Sequence, residues 1–249
     1  MLQRLKPYLV YLTDGGSRER LEQTCRGLEN AGLSARACFL NHSERSVYDA
    51  LLAGDSEFFH EIADEISMAV RVLAPEQILC DAIEFYNPVH DISLPVVRAA
   101  LRRCGETRVF EVPLIYRRPT ESEEYELQRW PPSRHGRQVE FHLSEREVDA
   151  KIWARDKIYE ALSVQLGPAI LELPRAHAAL EVMMPARSMV PEPGSDILLR
   201  YERRAQVLAE RGEIEQQITY ANHYVPLATS LLNGARRPAG ATYASGSRG

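Results

Sequence analysis

Polar side chains able to transfer protons, donate hydrogen bonds or hold a metal ion gather in four short stretches of this chain. They are Asp14; Asn41 and His42; Asp81, Glu84, Tyr86, Asn87, His90 and Asp91; and Tyr116. Carboxylates and imidazoles both suit zinc, and a carboxylate can take a proton from an attacking water. The third stretch is the most informative, because Asn87-Pro88-Val89-His90-Asp91 leads into a helical pattern at Ile92 and presents a histidine just after a short apolar run. A single histidine does not make a zinc site, which in catalytic form uses three protein ligands and one open position. Asp14-Gly15-Gly16-Ser17 stands between an apolar run and a helical pattern, where a helix N-terminus can hold an anion. It has neither the GxGxxG spacing nor the lysine of a P-loop, and an Asx-turn at Asp14 accounts for it equally well. His42 reads equally as a solvent-facing loop residue. His60 and His177 fall in helical patterns and read as structural, and Met183-Met184 reads as core packing.

The elements that must position these residues alternate between short apolar runs and longer amphipathic segments, the pattern of parallel strands with crossover helices. Strands are expected at residues 8–13, 35–40, 77–80 and 109–115. Helices are expected around Leu21, Cys25, Leu28 and Ala31, over residues 57–73 until Pro75, and from Ile92 to Leu101 with Pro95 in the first turn. In an open sheet of this kind, ligands bind beyond the carboxyl ends of the strands, which selects the loops at 14–17, 41–46 and 81–91 and the chain from Tyr116 onward. Residues 117–138 are polar and punctuated and read as a surface excursion that could form a lid, with Arg117, Arg118 and Trp130 as candidate contacts to a sugar or phosphate. Residues 139–143 alternate as an edge strand does, and Ser144-x-x-Glu147 has the spacing of a capping box. Helices are expected from there to about Leu166, at residues 169–182 and at 197–211, and residues 234–249 read as a disordered tail.

The chain of 249 residues is 45% hydrophobic, enough for a core of ordinary size. Its 30 basic and 35 acidic residues give a net charge of −5, which lacks the basic face that nucleic acid or an anionic lipid surface requires. The first apolar run is far shorter than the roughly 20 residues that span a bilayer and has no signal-peptide layout. A soluble, cytoplasmic protein is expected. Cys25, Cys38, Cys80 and Cys104 are widely spaced without a CxxC pair, so buried or half-buried free thiols are expected rather than disulfides or a zinc knuckle.

The order of these features resembles the PIG-L/LmbE-like de-N-acetylases. Thr13-Asp14-Gly15-Gly16-Ser17, a helix with Arg18, Arg20 and Glu22, Ile78-Leu79-Cys80-Asp81, and Tyr86-Asn87-Pro88-Val89-His90-Asp91 follow one another as in that family. Residues 218–223, followed by Pro226, resemble a closing segment of one of its branches. The resemblance implies a Rossmann-like, mostly parallel sheet flanked by helices, with a helical C-terminal part, in one domain over residues 1–232 and a tail over 233–249. It implies a zinc-dependent hydrolase that removes an acetyl group from an N-acetylated sugar or related secondary metabolite. His90 then takes a metal-ligand position, Asn87 stands where the family has a histidine assisting the oxyanion or leaving group, and Asp14, Gly15, Gly16, His42, Tyr86 and Asn87 are the expected substrate contacts.

The departures bear directly on the chemistry. The family's Ala-His-Pro-Asp-Asp type motif, which supplies two zinc ligands and the general base, has no counterpart before Thr13, so the family's first strand is expected to be missing and one side of the strand at Tyr8 open. Two alternatives follow. One is a non-catalytic family member that binds a ligand or partner; the other is a nucleotide or sugar-nucleotide binder using residues 14–17. Oligomeric state is not legible in the sequence.

Overall fold

The longest helix shows how the sequence builds this fold. Its apolar residues Phe59, Ile62, Ala63 and Ile66 recur at three- and four-residue spacing and are all buried. Asp55 stops the backbone turn before it, its carboxylate accepting from the amides of Glu57 (3.1 Å) and Phe58 (3.2 Å). Asp55→Ala is expected to cost about 1 kcal/mol, within a range of about 0.5–2, read as a lowered urea midpoint at unchanged slope.

The computed structural model describes residues 2–105, 107–119, 125–158, 174–195 and 197–234. In chain order the elements are α1 (Leu2–Leu5), β1 (Leu9–Thr13), α2 (Arg18–Asn30), a 3-10 turn (Ser34–Arg36), β2 (Ala37–His42), α3 (Glu44–Ala53) and α4 (Ser56–Leu73). There follow β3 (Gln77–Asp81), α5 (Pro88–Asp91), α6 (Ser93–Leu101), β4 (Arg108–Val112), β5 (Ile115–Arg117), β6 (Tyr125–Leu127), β7 (Val139–His142) and α7 (Glu145–Lys157). The last are α8 (Arg175–Ala178), β8 (Leu180–Pro185), α9 (Arg200–Glu210), a π-helical turn (Tyr220–Tyr224) and α10 (Val225–Asn233).

The protein is α/β, with sheets flanked by helices and a helical C-terminal part. β1 and β2 pair in parallel, and so do β3 and β4, with Cys80 opposite Glu111. β4 is then joined by β8 and β8 by β7, both antiparallel, giving the order β3-β4-β8-β7. β5 and β6 form a separate antiparallel hairpin. Among the described residues β1 pairs with β2 alone and β3 with β4 alone. The core lies where α4, α6 and α10 pack together, around Phe59, Ile62, Val96, Ala100, Leu227 and Leu231.

Several expectations change on folding. The helix expected over 169–182 is, in its described part, one turn (α8) followed by β8. Leu180-Glu181-Val182-Met183-Met184 suits either structure, and pairing with β4 and β7, which buries Val182, Met183 and Met184, decides for a strand. The expected loop at 41–46 runs instead into α3, whose N-cap Ser43 accepts from the Ser46 amide at 3.0 Å and whose C-cap Gly54 is left-handed at φ 61°. In the described part of 117–138, which begins at the end of β5, Arg129 acts as an internal strut, donating to the carbonyls of Leu180 (3.1 Å) and His177 (3.1 Å). The helix expected to reach Leu166 is described as α7 only, and its remainder, residues 169–173 and the tail over 235–249 lie outside the described residues. Cys25 and Cys38 are exposed rather than buried, while Cys80 and Cys104 are half-buried. No described helix is long and apolar enough to cross a membrane.

Candidate active site

β3 ends at Asp81, and the chain that leaves it makes a tight excursion before α5. Buried carboxylates shape that excursion. Asp91, fully buried, accepts from the amides of Glu84 (2.8 Å) and Phe85 (3.0 Å), which holds Phe85 in the left-handed region at φ 60°. Glu84, also buried, accepts from the amides of Leu114 (3.0 Å) and Ile115 (2.9 Å) and so ties the loop to the chain after β4. Tyr224 donates its hydroxyl to the Asp91 carbonyl at 2.8 Å. These two acids are therefore scaffolding for the residues between them.

What they present is Tyr86, Asn87 and His90. Asn87 caps α5, its Oδ1 accepting from the Val89 amide (2.9 Å) and from the Tyr48 hydroxyl on α3 (3.2 Å). With Oδ1 held by two donors, its Nδ2 amide is oriented and has no acceptor among the described residues. His90 lies three residues on, hence on the same side of this helical turn. Its Nδ1 is 2.8 Å from Asp81 Oδ2, and the two side chains are 47% and 39% exposed, so the pair opens to solvent. Because the carboxylate only accepts, Nδ1 carries the proton and the neutral ring keeps its lone pair on Nε2. Desolvation opposes the charged ring, but the hydrogen bond and charge of Asp81, with Asp91 and Glu44 further off, prevail and raise the His90 pKa.

The other expected contacts are distributed around this point. Asp14 Oδ1 accepts from the amides of Gly16 (2.9 Å) and Glu44 (3.1 Å), which is the Asx-turn, extended to the start of α3. Gly15 and Gly16 have φ of 72° and 80°, and the Glu44 carboxylate lies 2.5 Å from where a Cβ on Gly16 would stand. With Asp14 and Glu44 both lining it, this loop opposes an anion. His42 Nε2 faces Glu65 at 3.2 Å and its ring meets Phe58 edge-on, so it is engaged with α4. Tyr86 lies under the Arg200 guanidinium at 4.5 Å and meets Tyr125 edge-on. His60 is buried in α4, and His177 Nε2 donates to the Leu127 carbonyl beside the Arg129 contacts. Trp130 and Arg118 are engaged with Arg134 and Glu126 respectively.

Sequence reasoning placed Tyr86, Asn87 and His90 on one loop but did not find Tyr48, Arg200 or the pairing of Asp81 with His90. A nine-residue separation carries no periodic signal for that pair; the Ser43 cap and Gly54 would have revealed the helix that delivers Tyr48.

The residues present do not fit a zinc ion. Among the described residues no three His, Cys, Asp or Glu side chains come together as a metal-binding group. His90 has only Asp81 beside it, bound through the ring, and His42 is occupied by Glu65.

Burial pushes the Asp91 pKa up to about 7 despite its amide donors and the opposing charges of His90 and Arg187, and burial pushes Glu84 well above the carboxylate range. Both acids hold protons in the folded state that the unfolded chain releases near pH 4. For Asp91 that stabilisation is complete below pH 4 and is lost as pH rises through about 7, and Glu84 contributes in the same direction. Asp91 alone is worth up to about 4 kcal/mol, so urea unfolding should show greater stability at pH 5 than at pH 8. A shallower fall in stability from pH 5 to pH 8 in Asp91→Asn, where only Glu84 still contributes, would confirm the source.

No protein-family model matches the sequence, and no curated protein matches it. Among solved structures, the crystal structure of the A40926 pseudoaglycone deacetylase Dbv21 matches with a TM-score of 0.47 and 17% identity, covering 67% of this chain and 69% of that one.

Proposed function

We propose that this chain is a hydrolase that removes the acyl group from an N-acylated sugar or related small molecule, with His90 as general base. The observation that carries the reading is the His90–Asp81 pair, 2.8 Å apart and open to solvent at the carboxyl end of β3. His90 Nε2 takes a proton from water as its oxygen attacks the amide carbonyl, and then returns that proton to the departing amine. Asp81 holds the productive tautomer and stabilises the imidazolium while it exists. The Asn87 Nδ2 amide, oriented through its two contacts at Oδ1, donates to the oxyanion, the task for which the resemblance expects a histidine. No step is routed through zinc, for which the described residues lack a ligand set.

The test is acetate release from a panel of N-acetylated sugars, with and without added zinc, by wild type and His90→Ala. Release by wild type that disappears in His90→Ala supports the reading; no release above a boiled control in any arm overturns it. One observation favours a second reading, a ligand-binding protein without chemistry: Asn87 Oδ1 and Asp14 both serve as backbone caps. A ligand that raises Tm but is recovered intact after long incubation would support that alternative.

A further inference from the structure

Two arginines on α9 stand beside the candidate site without a counter-charge. Arg200 opens the helix and lies over the Tyr86 ring at 4.5 Å, its backbone amide donating to the Phe85 carbonyl at 3.0 Å. Its Nε is buried and has no hydrogen-bond acceptor. Arg204 lies one helical turn further on, is exposed, and likewise has no ion-pair partner among the described residues. Both guanidiniums lie within electrostatic reach of the Tyr48 hydroxyl, which itself donates to Asn87. By contrast, other arginines of the chain are spent on acceptors: Arg103 on Asp64, Arg134 on Glu111, Arg175 on Glu145 and Asp149. In a protein of net charge −5, two cations one turn apart thus stand without an ion pair near Tyr86 and Tyr48, with the Glu44 carboxylate also within reach of Tyr48.

We propose that Arg200 and Arg204 form a phosphate subsite next to His90, so that the substrate is a phosphorylated N-acyl sugar. Two guanidiniums one turn apart present several N–H donors to a group with three acceptor oxygens and a double charge, which a single carboxylate does not satisfy. The buried, unpartnered Nε of Arg200 is satisfied when that group binds. Tyr86 fixes the Arg200 plane from below, and Tyr125 braces Tyr86 at its edge. The start of α9 adds the favourable end of the helix dipole. The Asp14–Ser17 loop, flanked by carboxylates, is left to neutral parts of the ligand.

The subsite rests on the hydrolase reading only in placing the sugar beside His90, and it is tested by binding rather than turnover. Isothermal titration compares N-acetylglucosamine with N-acetylglucosamine 1-phosphate at low and high salt, with inorganic phosphate as competitor. The phosphate ester should bind about 10- to 100-fold more tightly than the neutral sugar, less so at high salt, and inorganic phosphate should displace it. In Arg200→Gln/Arg204→Gln the preference for the ester over the neutral sugar should vanish. Arg204→Gln alone, an exposed change on a helix surface, should lose about three- to tenfold and keeps the test decisive if the double variant does not fold. Equal affinity for the two sugars, no binding of the ester at about 10 mM, no competition by phosphate, or a preference that survives in a folded variant would each overturn the proposal. A phosphate preference without acetate release upholds the subsite and removes the hydrolase reading.

Discussion

Glu111→Ala is expected to lower folding stability by about 3–5 kcal/mol, the largest loss from any single substitution considered. Glu111 sits in the middle strand pairing of β4 and is fully buried. Its carboxylate accepts from Arg134 Nη2 (3.0 Å), the Arg187 amide (3.0 Å) and the Ile83 amide (3.3 Å), and Arg187 Nε lies 3.7 Å away. Removing it leaves two guanidiniums whose side chains are 16% and 12% exposed, and two backbone amides, without this acceptor. It also removes one of the two acceptors of Arg134, which is left with the Pro185 carbonyl. The surface pair Arg18–Glu22, with side chains 91% and 60% exposed, should by contrast cost at most about 0.5 kcal/mol when broken. Urea unfolding of the two variants measures the difference, and an effect of Glu111→Ala below about 1 kcal/mol would show that the carboxylate does not anchor this region.

Asp81→Asn is expected to reduce kcat/KM for deacylation by about 10²- to 10⁴-fold with little change in fold. The asparagine amide can donate to Nδ1, which then becomes the acceptor and moves the ring proton to Nε2, the atom that must receive the proton from water. Because the base must be unprotonated, activity rises with pH through the His90 pKa, and Asp81 holds that value above the usual 6.5 of histidine. Without the carboxylate the acidic limb of the residual activity should move to lower pH. A purely structural role for Asp81 would lower activity without moving the limb, so the pH profile separates the two. His90→Ala should lose the limb altogether.

The sequence carried the local half of this protein. Periodic apolar residues located α2, α4 and α6, and continuous apolar runs located β1, β3 and β4, because these signals depend on neighbours within a turn or a pleat. The Ser144-Glu147 capping box was equally local. The rule that ligands bind beyond the carboxyl ends of strands placed Tyr86, Asn87 and His90 at a site before any contact was known. β8 was lost to the helix reading, since Leu180-Glu181-Val182-Met183-Met184 has no preference strong enough to outweigh its partners β4 and β7.

Charge pairing was beyond sequence reasoning altogether. Asp81 with His90, Tyr48 with Asn87, Arg200 with Tyr86 and Glu111 with Arg134 join residues from 9 to 114 positions apart, and no local pattern encodes which acid meets which base. The amino-acid sequence by itself determined that this is an α/β protein with a polar, histidine-bearing loop after its third strand. Tertiary structure alone decided that Asp91 and Glu84 hold the loop through its backbone amides, that His90 pairs with Asp81, and that Arg200 from a distant helix stacks on Tyr86. The physical reason is that backbone geometry follows from short-range sterics and apolar spacing, whereas the state of a charged side chain depends on its burial and on what surrounds it, which exists only once the chain is packed.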